Sequence, residues 1–225
     1  MSRPHEDIER HTLVDHRPGG APVSFPPGAW CAIEIAHAEA GREDAVLSAY
    51  ETLIEKARTS AAKARAAAVL GSANGRRVVA LLELDGHEAF GHFAAAWGDQ
   101  RLEAQHRAVA ESGSLALYRL FARAGDVEID PGSTDAYAFE RVVIEPQRVR
   151  GIVPPIVAAA GFRGVLVFGA DSGTESAVVY RFTNDEQFEA FRAGAQALGV
   201  LGAIGTPGES LFPARPVKTF PERVT

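Results

Sequence analysis

The chain has 225 residues, 46% of them hydrophobic and 23% charged, with a formal net charge of -6, which suits one or two globular domains with a real core. That acidic balance leaves no basic stripe to displace counterions from nucleic acid, and no apolar run approaches the ~20 residues that span a bilayer. Cys31, the one cysteine, rules out an intrachain disulfide. The opening stretch Met1 to Asp7 has no apolar h-region, so a cytoplasmic protein is expected, without nucleic-acid or membrane partners.

Residues 1–28 are rich in Pro, Gly, His and charge and read as an N-terminal arm or disordered tail. Trp30 to His37 reads as a strand with Ile33 and Ile35 alternating. Gly41-Arg42-Glu43-Asp44 opens a helix whose apolar stripe is Val46, Tyr50, Leu53, Ile54 and Ala57. Two strands follow, Ala66 to Ser72 and Arg77 to Leu84, joined by Ala73-Asn74-Gly75, a hairpin signal. A helix from Asp85-Gly86 runs through Phe90 and Phe93 to Trp97, with a break expected before Glu111. Ser114 to Arg123 is a strand, and Gly125 to Asp135 a linker. The order then repeats: a strand from Tyr137 to Glu145 and a short helix around Val149 to Ala160, with Pro154-Pro155 in its first turn. Strands follow at Arg163 to Ala170 and Glu175 to Phe182, then a helix from Asn184 to Leu198 and a last strand from Glu209.

The repeat is visible residue by residue. At an offset of 98, Arg65, Val69, Gly71 and Gly75 fall on Arg163, Val167, Gly169 and Gly173, and Glu88, Phe90, Phe93 and Ala95 fall on Glu186, Phe188, Phe191 and Ala193. The first strand aligns at an offset of 107, so the first helix of the second copy is shorter by 107 − 98 = 9 residues. Two βαββαβ units are expected, at 29–125 and 136–219. Each makes an antiparallel sheet with helices on one face, and each sheet covers the other. The fold class is therefore α+β, with tandem ferredoxin-like repeats forming an intrachain dimeric α+β barrel.

At these offsets Glu34 aligns with Arg141, and Glu83 with Arg181. This places the glutamates either in solvent or across the barrel from the arginines. If Glu34 and Glu83 mark the inter-sheet face, alternation turns Cys31, Ile33, Ile35, His37, Ala80, Leu82, Leu84, Val178, Tyr180 and Phe182 towards the helices. That composition suits either a closed core or a flat apolar ligand held by few hydrogen bonds.

No P-loop, G-x-G-x-x-G, H-E-x-x-H or G-x-S-x-G occurs, which removes most nucleotide-binding, zinc-hydrolase and serine-hydrolase readings. His92 and His37 are the candidate catalytic groups, since an imidazole titrates near neutrality and can take a proton from a phenol. Trp97, Tyr118, Tyr180, Leu82 and Leu84 are the candidate substrate-binding residues, offering ring faces, hydroxyls and apolar walls. Each has a plainer alternative as core or surface. No metal site is expected; His5, His11 and His16 lie in the tail without fixed geometry.

The stretch Val79-Ala80-Leu81-Leu82-Glu83-Leu84-Asp85-Gly86-His87-Glu88-Ala89-Phe90-Gly91-His92 resembles the strand, "W-x-S-x-E-A" and histidine segment of the antibiotic biosynthesis monooxygenase type of dimeric α+β barrel. Glu88-Ala89 and His92 match, Leu84 stands in place of the tryptophan, and the second unit has Ala190 where the histidine would be. The resemblance, in tandem form, covers residues 29–219 and includes the ring-opening oxygenases of angucycline pathways. It implies an oxygenase acting on a polycyclic aromatic polyketide by hydroxylation, quinone formation or oxidative ring opening. It implies no tightly bound cofactor, or reduced flavin (FADH2 or FMNH2) as a diffusible co-substrate supplied by a flavin reductase. A homodimer is compatible with it. The alternatives are a non-redox cyclase or isomerase of natural-product biosynthesis and a ligand-binding protein without chemistry. A haem protein of the chlorite-dismutase-like type is disfavoured, because no histidine follows His106.

Overall fold

The computed structural model describes residues 19–222 apart from positions 40, 73–75, 109, 144, 152 and 198–210. The expected turn at Ala73-Asn74-Gly75 and the tail histidines His5, His11 and His16 lie outside the described residues. The elements in order are β1 (Trp30–Ala38), α1 (Glu43–Thr59), β2 (Ala67–Ser72), β3 (Arg77–Leu84), α2 (His87–Ala108), β4 (Ala110–Gly125) and β5 (Ala136–Val142). They continue with α3 (Pro146–Arg150), α4 (Val153–Val157), β6 (Phe162–Ala170), β7 (Ser176–Phe182), α5 (Asp185–Ala197) and β8 (Leu211–Phe220).

Local chemistry explains most of these boundaries. Gly86, at φ +117°, makes the turn into α2, and Glu88 lies in that helix's first turn, where an acid complements the dipole. The Asn184 side chain accepts a hydrogen bond from the Gln187 amide at 2.9 Å and so caps α5. The α2 helix is unbroken where an interruption was expected. Phe90, Phe93 and Trp97 recur on one face, and their packing carries the helix past Gly98. The single short helix expected around Val149 to Ala160 is instead two five-residue helices, with Pro154 and Pro155 in the first turn of α4.

The eight strands close into an antiparallel barrel in the order β1-β3-β2-β8-β5-β7-β6-β4. Within it, β4-β1-β3-β2 and β8-β5-β7-β6 repeat one order, joined by two seams, β2 to β8 and β4 to β6. One apolar layer fills the barrel, including Ile33, Leu81, Tyr118, Phe139 and Phe168, as an interior of eight strands is just wide enough to allow. A second lies between the first four strands and α1 with α2. A third lies between β5, β6 and β7 and the helices α4 and α5. The segment before β1 belongs to the barrel layer: Val23 bridges Ile129, and Phe25 is fully buried with its ring edge-on to Phe168 at 6.2 Å.

The registers correct the expected faces of β1. Glu34 lies opposite Ala80, and Glu140 lies opposite Val178. Because 178 − 80 = 98 while 140 − 34 = 106, the first strands are related by 106, not 107. A slip of one residue turns every side chain to the other face. Cys31, Ile33 and Ile35 therefore point into the barrel, while Ala32, Ala36 and Ala38 point at the helices. Glu34 shares the alanines' face by alternation, and its counterpart is Glu140, not Arg141. The expected acid–arginine pairing across the barrel is replaced by other partners. Arg141 binds Glu175, Arg181 binds Asp126 and Asp135, and Glu83 lies 4.0 Å from Arg65.

Candidate functional site

The layer under α1 and α2 has a floor of small and apolar side chains and an aromatic roof. Glu34 stands in the floor between Ala32 and Ala36 on β1, beside Ala80 and Leu82 on β3 and Leu115 on β4. Its side chain is 1% exposed, and it is engaged within the protein. The roof is Tyr50 of α1 with Phe93 and Trp97 of α2; the Trp97 ring lies 5.3 Å from Tyr50 and 4.7 Å from Phe93. Trp97 is 3% exposed, and its indole Nε1 has no hydrogen-bond partner among the described residues. A buried donor left open is uncommon in a folded protein and calls for an explanation.

The corresponding layer of the second half carries Glu140, 2% exposed, on the same face of β5. Here the Tyr180 hydroxyl donates to Glu140 Oε2 at 2.7 Å, and the Tyr180 ring packs 5.8 Å from Phe191. Burial pushes the Glu140 carboxyl above its ordinary value, and the Tyr180 hydrogen bond partly offsets the rise. Burial, and then the Glu140 charge, push the Tyr180 phenol well above its own.

A third polar group lies inside the barrel near one mouth. The Tyr118 hydroxyl donates to Glu175 Oε1 at 2.5 Å, and Arg141 reaches Glu175 Oε2 through Nε and Nη2 at 3.2 and 2.9 Å. Arg141 Nη1 also donates to the Ser114 hydroxyl. Burial and Glu175 together push the Tyr118 phenol upward. This network joins β4, β5 and the loop before β7, so its first role is to lock the barrel.

The expected site residues therefore fall in separate places. Trp97, Leu82 and Leu84 share the layer under α1 and α2. Tyr180 lies in the equivalent layer of the second half, and Tyr118 on the barrel side of the sheet. His37 is half-buried on the barrel-facing side of β1 by alternation. His92 is exposed on α2, with Nε2 4.0 Å from Glu88 Oε1. His87, also exposed, packs its ring 4.7 Å from Trp30 and lies 3.6 Å from Asp171. Sequence reasoning missed the two buried glutamates as a matched pair. The signal was present in Ala32-Ile33-Glu34 and Ala138-Phe139-Glu140, the same small–apolar–acid triplet in both first strands. Among the described residues no group of three or more His, Cys, Asp or Glu could hold a metal ion. No described helix is long and apolar enough to cross a membrane.

Solved structures give the chain its context. An anthrone oxidase-like protein superposes with a TM-score of 0.69 at 14% identity, over 88% of this chain and 95% of that one. The two strand orders of this chain, β4-β1-β3-β2 and β8-β5-β7-β6, are each ferredoxin-like. A candidate monooxygenase from Fusobacterium nucleatum subsp. nucleatum follows with a TM-score of 0.56 at 11% identity, over 87% of this chain and 95% of that one. Another from Lactobacillus acidophilus gives 0.52 at 8% identity, over 85% and 95%. No family model matches the sequence, and no curated protein matches it.

Proposed function

We propose that the chain is an oxygenase-type enzyme that oxidises a flat, electron-rich aromatic with O2, held between the sheet and helices of its first half. The observation that carries this reading is the open indole N–H of Trp97, buried within the aromatic roof of the layer that also holds Glu34. An aromatic ligand there gains ring stacking, and its oxygen gains a donor. The likeness to an anthrone oxidase-like protein supports the reaction class. In the finer reading the substrate is a polycyclic aromatic polyketide, and the closed barrel is an intrachain version of the dimeric α+β barrel.

The chemistry asks little of the protein. A phenolate or enolate carries enough electron density to reduce O2 once formed, so the site must bind the ring, take a proton and keep out water. For an anthrone, the methylene carbon loses two hydrogens and becomes a carbonyl. One oxygen atom of O2 enters the product and the other leaves as water. In this reading Glu34 takes the proton and Trp97 holds the ligand oxygen. His92 stands exposed on the far side of α2, and His37 faces the barrel.

The test is oxygen uptake with 1,8-dihydroxyanthrone, with and without reduced FMN and a flavin reductase. One O2 consumed per quinone formed, above the spontaneous rate, is expected. Trp97→Phe keeps the roof but removes the donor, and kcat/KM should fall by about tenfold or more. Uptake no faster than the background in both arms overturns the reading, and substrate turnover without oxygen consumption points to a cyclase or isomerase.

A further inference from the structure

The stretch leading into β1 has a counterpart in the linker leading into β5. At the offset of 106 that relates those strands, Val23 falls on Ile129, and the two residues bridge each other antiparallel. The bridge is reciprocal: the Val23 amide donates to the Ile129 carbonyl at 3.0 Å, and the Ile129 amide donates to the Val23 carbonyl at 2.8 Å. Equivalent residues that bond each other follow the isologous pattern of a two-fold axis, so the axis of the internal repeat runs through this bridge. The two lead-in segments meet at one end of the barrel, where Val23, Phe25, Val127 and Ile129 are buried in its interior layer. They are not held alike. Arg181 pins the linker, reaching Asp126, Asp135 and the Glu128 carbonyl at 3.0, 2.7 and 3.2 Å. The Tyr137 hydroxyl also donates to the Glu128 carbonyl, at 2.9 Å. At the matching positions the first half has Glu83 for Arg181, Cys31 for Tyr137, Gly20 for Asp126 and Ala29 for Asp135. Residues 19–29 carry no charge at all.

We infer that residues 19–25 form a strap that lifts as a unit about Pro26-Pro27-Gly28, uncovering one mouth of the barrel while the linker and both seams stay in place. From Gly28 onward the chain is laced to β4, with the Gly28 amide on the Leu120 carbonyl and the Leu120 amide on the Ala29 carbonyl at 3.2 and 2.8 Å. The exposed prolines precede that anchor, and Gly28 itself has φ +79°, a conformation glycine takes without steric cost. Upstream, the strap is held by the Val23 bridge and by a second bridge from Gly19 to Lys218. The Thr219 hydroxyl and Arg123 donate to the Ala21 and Phe25 carbonyls, and the Phe25 ring lies against Phe168. A few bonds and two buried side chains are the profile of a segment that opens below the free energy of global unfolding. Lifting it bares Phe168 and leaves the Ile129 amide without its acceptor. The inference is independent of the oxygenase reading.

The test is native-state hydrogen exchange on the full chain at low, rising denaturant, read residue by residue by NMR. Two amides on the fixed side report the strap: Ile129 of the linker donates to the Val23 carbonyl, and Thr219 of β8 donates to the Gly19 carbonyl at 3.0 Å. Asp126, whose amide donates to the Arg163 carbonyl at 2.8 Å, reports the linker. Ile129 and Thr219 should exchange together, about tenfold or more faster than Asp126 and the β3 amides after correction for intrinsic rates. Their denaturant dependence should be the weaker, because little surface opens. Gly20→Ala should speed both reporters by about a further tenfold, since a Cβ there would fall 2.2 Å from the Thr219 carbonyl oxygen. Ile129 exchanging in step with Asp126 would mean that the linker opens too, and both reporters in step with β3 would mean that the strap opens only on global unfolding. Either result overturns the inference. So do reporters that exchange independently of each other, or that Gly20→Ala leaves unchanged. If Gly20→Ala does not fold, the comparison within the parent chain decides.

Discussion

Glu140 ties a buried hydrogen bond to a measurable pH dependence. Its carboxyl is raised by burial, so the folded state holds its proton more tightly than the unfolded chain. Its contribution to stability is therefore fully present below the ordinary carboxyl value and is lost as pH rises through the raised folded value. Chemical denaturation across pH 4 to 8 should show this fall, and Glu140→Gln, which keeps an acceptor for Tyr180, should flatten it. Glu140→Ala leaves the Tyr180 hydroxyl buried without an acceptor and should cost about 1–3 kcal/mol at acidic pH. Cys31 offers a second check. It is fully buried, and burial followed by the Glu83 charge pushes its thiol well above the ordinary range, which suppresses the reactive thiolate. A disulfide reagent should titrate no thiol in the native protein and one in denaturant. Chemistry of this kind was only partly legible in the residue string. Trp97, Leu82 and Leu84 stood out because apolar and aromatic residues at regular spacing announce a layer, and they share one. Glu34 was found as an acid but placed on the wrong face.

That misplacement belongs to the scale of elements. A strand covered on one side alternates apolar and polar residues and reveals its inward face. β1 is covered on both sides, by the barrel interior and by α1 with α2, so most of its residues are apolar and both faces look like core. The existence of each strand was legible from β-branched runs bounded by turn residues; its orientation needed the register. Proline and glycine acted as punctuation in the linker and before α2, whereas the two short helices α3 and α4 lacked the length for a periodic signal. The seam between β4 and β6 depends on a position that composition could not single out. Gly164 lies against the Asp126 backbone carbonyl so closely that a Cβ would fall on it, and the Gly125–Gly164 pair ends that ladder. Gly164→Ala should lower stability by about 1–3 kcal/mol, read as a fall in denaturant midpoint, because the obstructing atom is backbone and cannot rotate away.

At the scale of the whole molecule, the two halves share the barrel interior and both seams. The layer inside draws Ile33 and Leu81 from the first half and Phe139 and Phe168 from the second, and the Arg141–Glu175 pair meets Tyr118 from the opposite half. Neither half would keep its interior covered alone. Thermal unfolding followed by far-UV dichroism and by Trp97 fluorescence should therefore coincide in one transition. The internal repeat was legible from identities at an offset of 98, and the closure of the sheet followed from asking what covers its second face. A further consequence comes from that closure. In the ring of eight, every strand has a bonded neighbour on each side, so among the described residues no whole strand stands as a sheet edge. A second copy, or an extended peptide, therefore finds no full-length open edge among the described strands. Self-association through the described residues would rest on helix faces and loops rather than on the strand-by-strand growth that threatens open sheets.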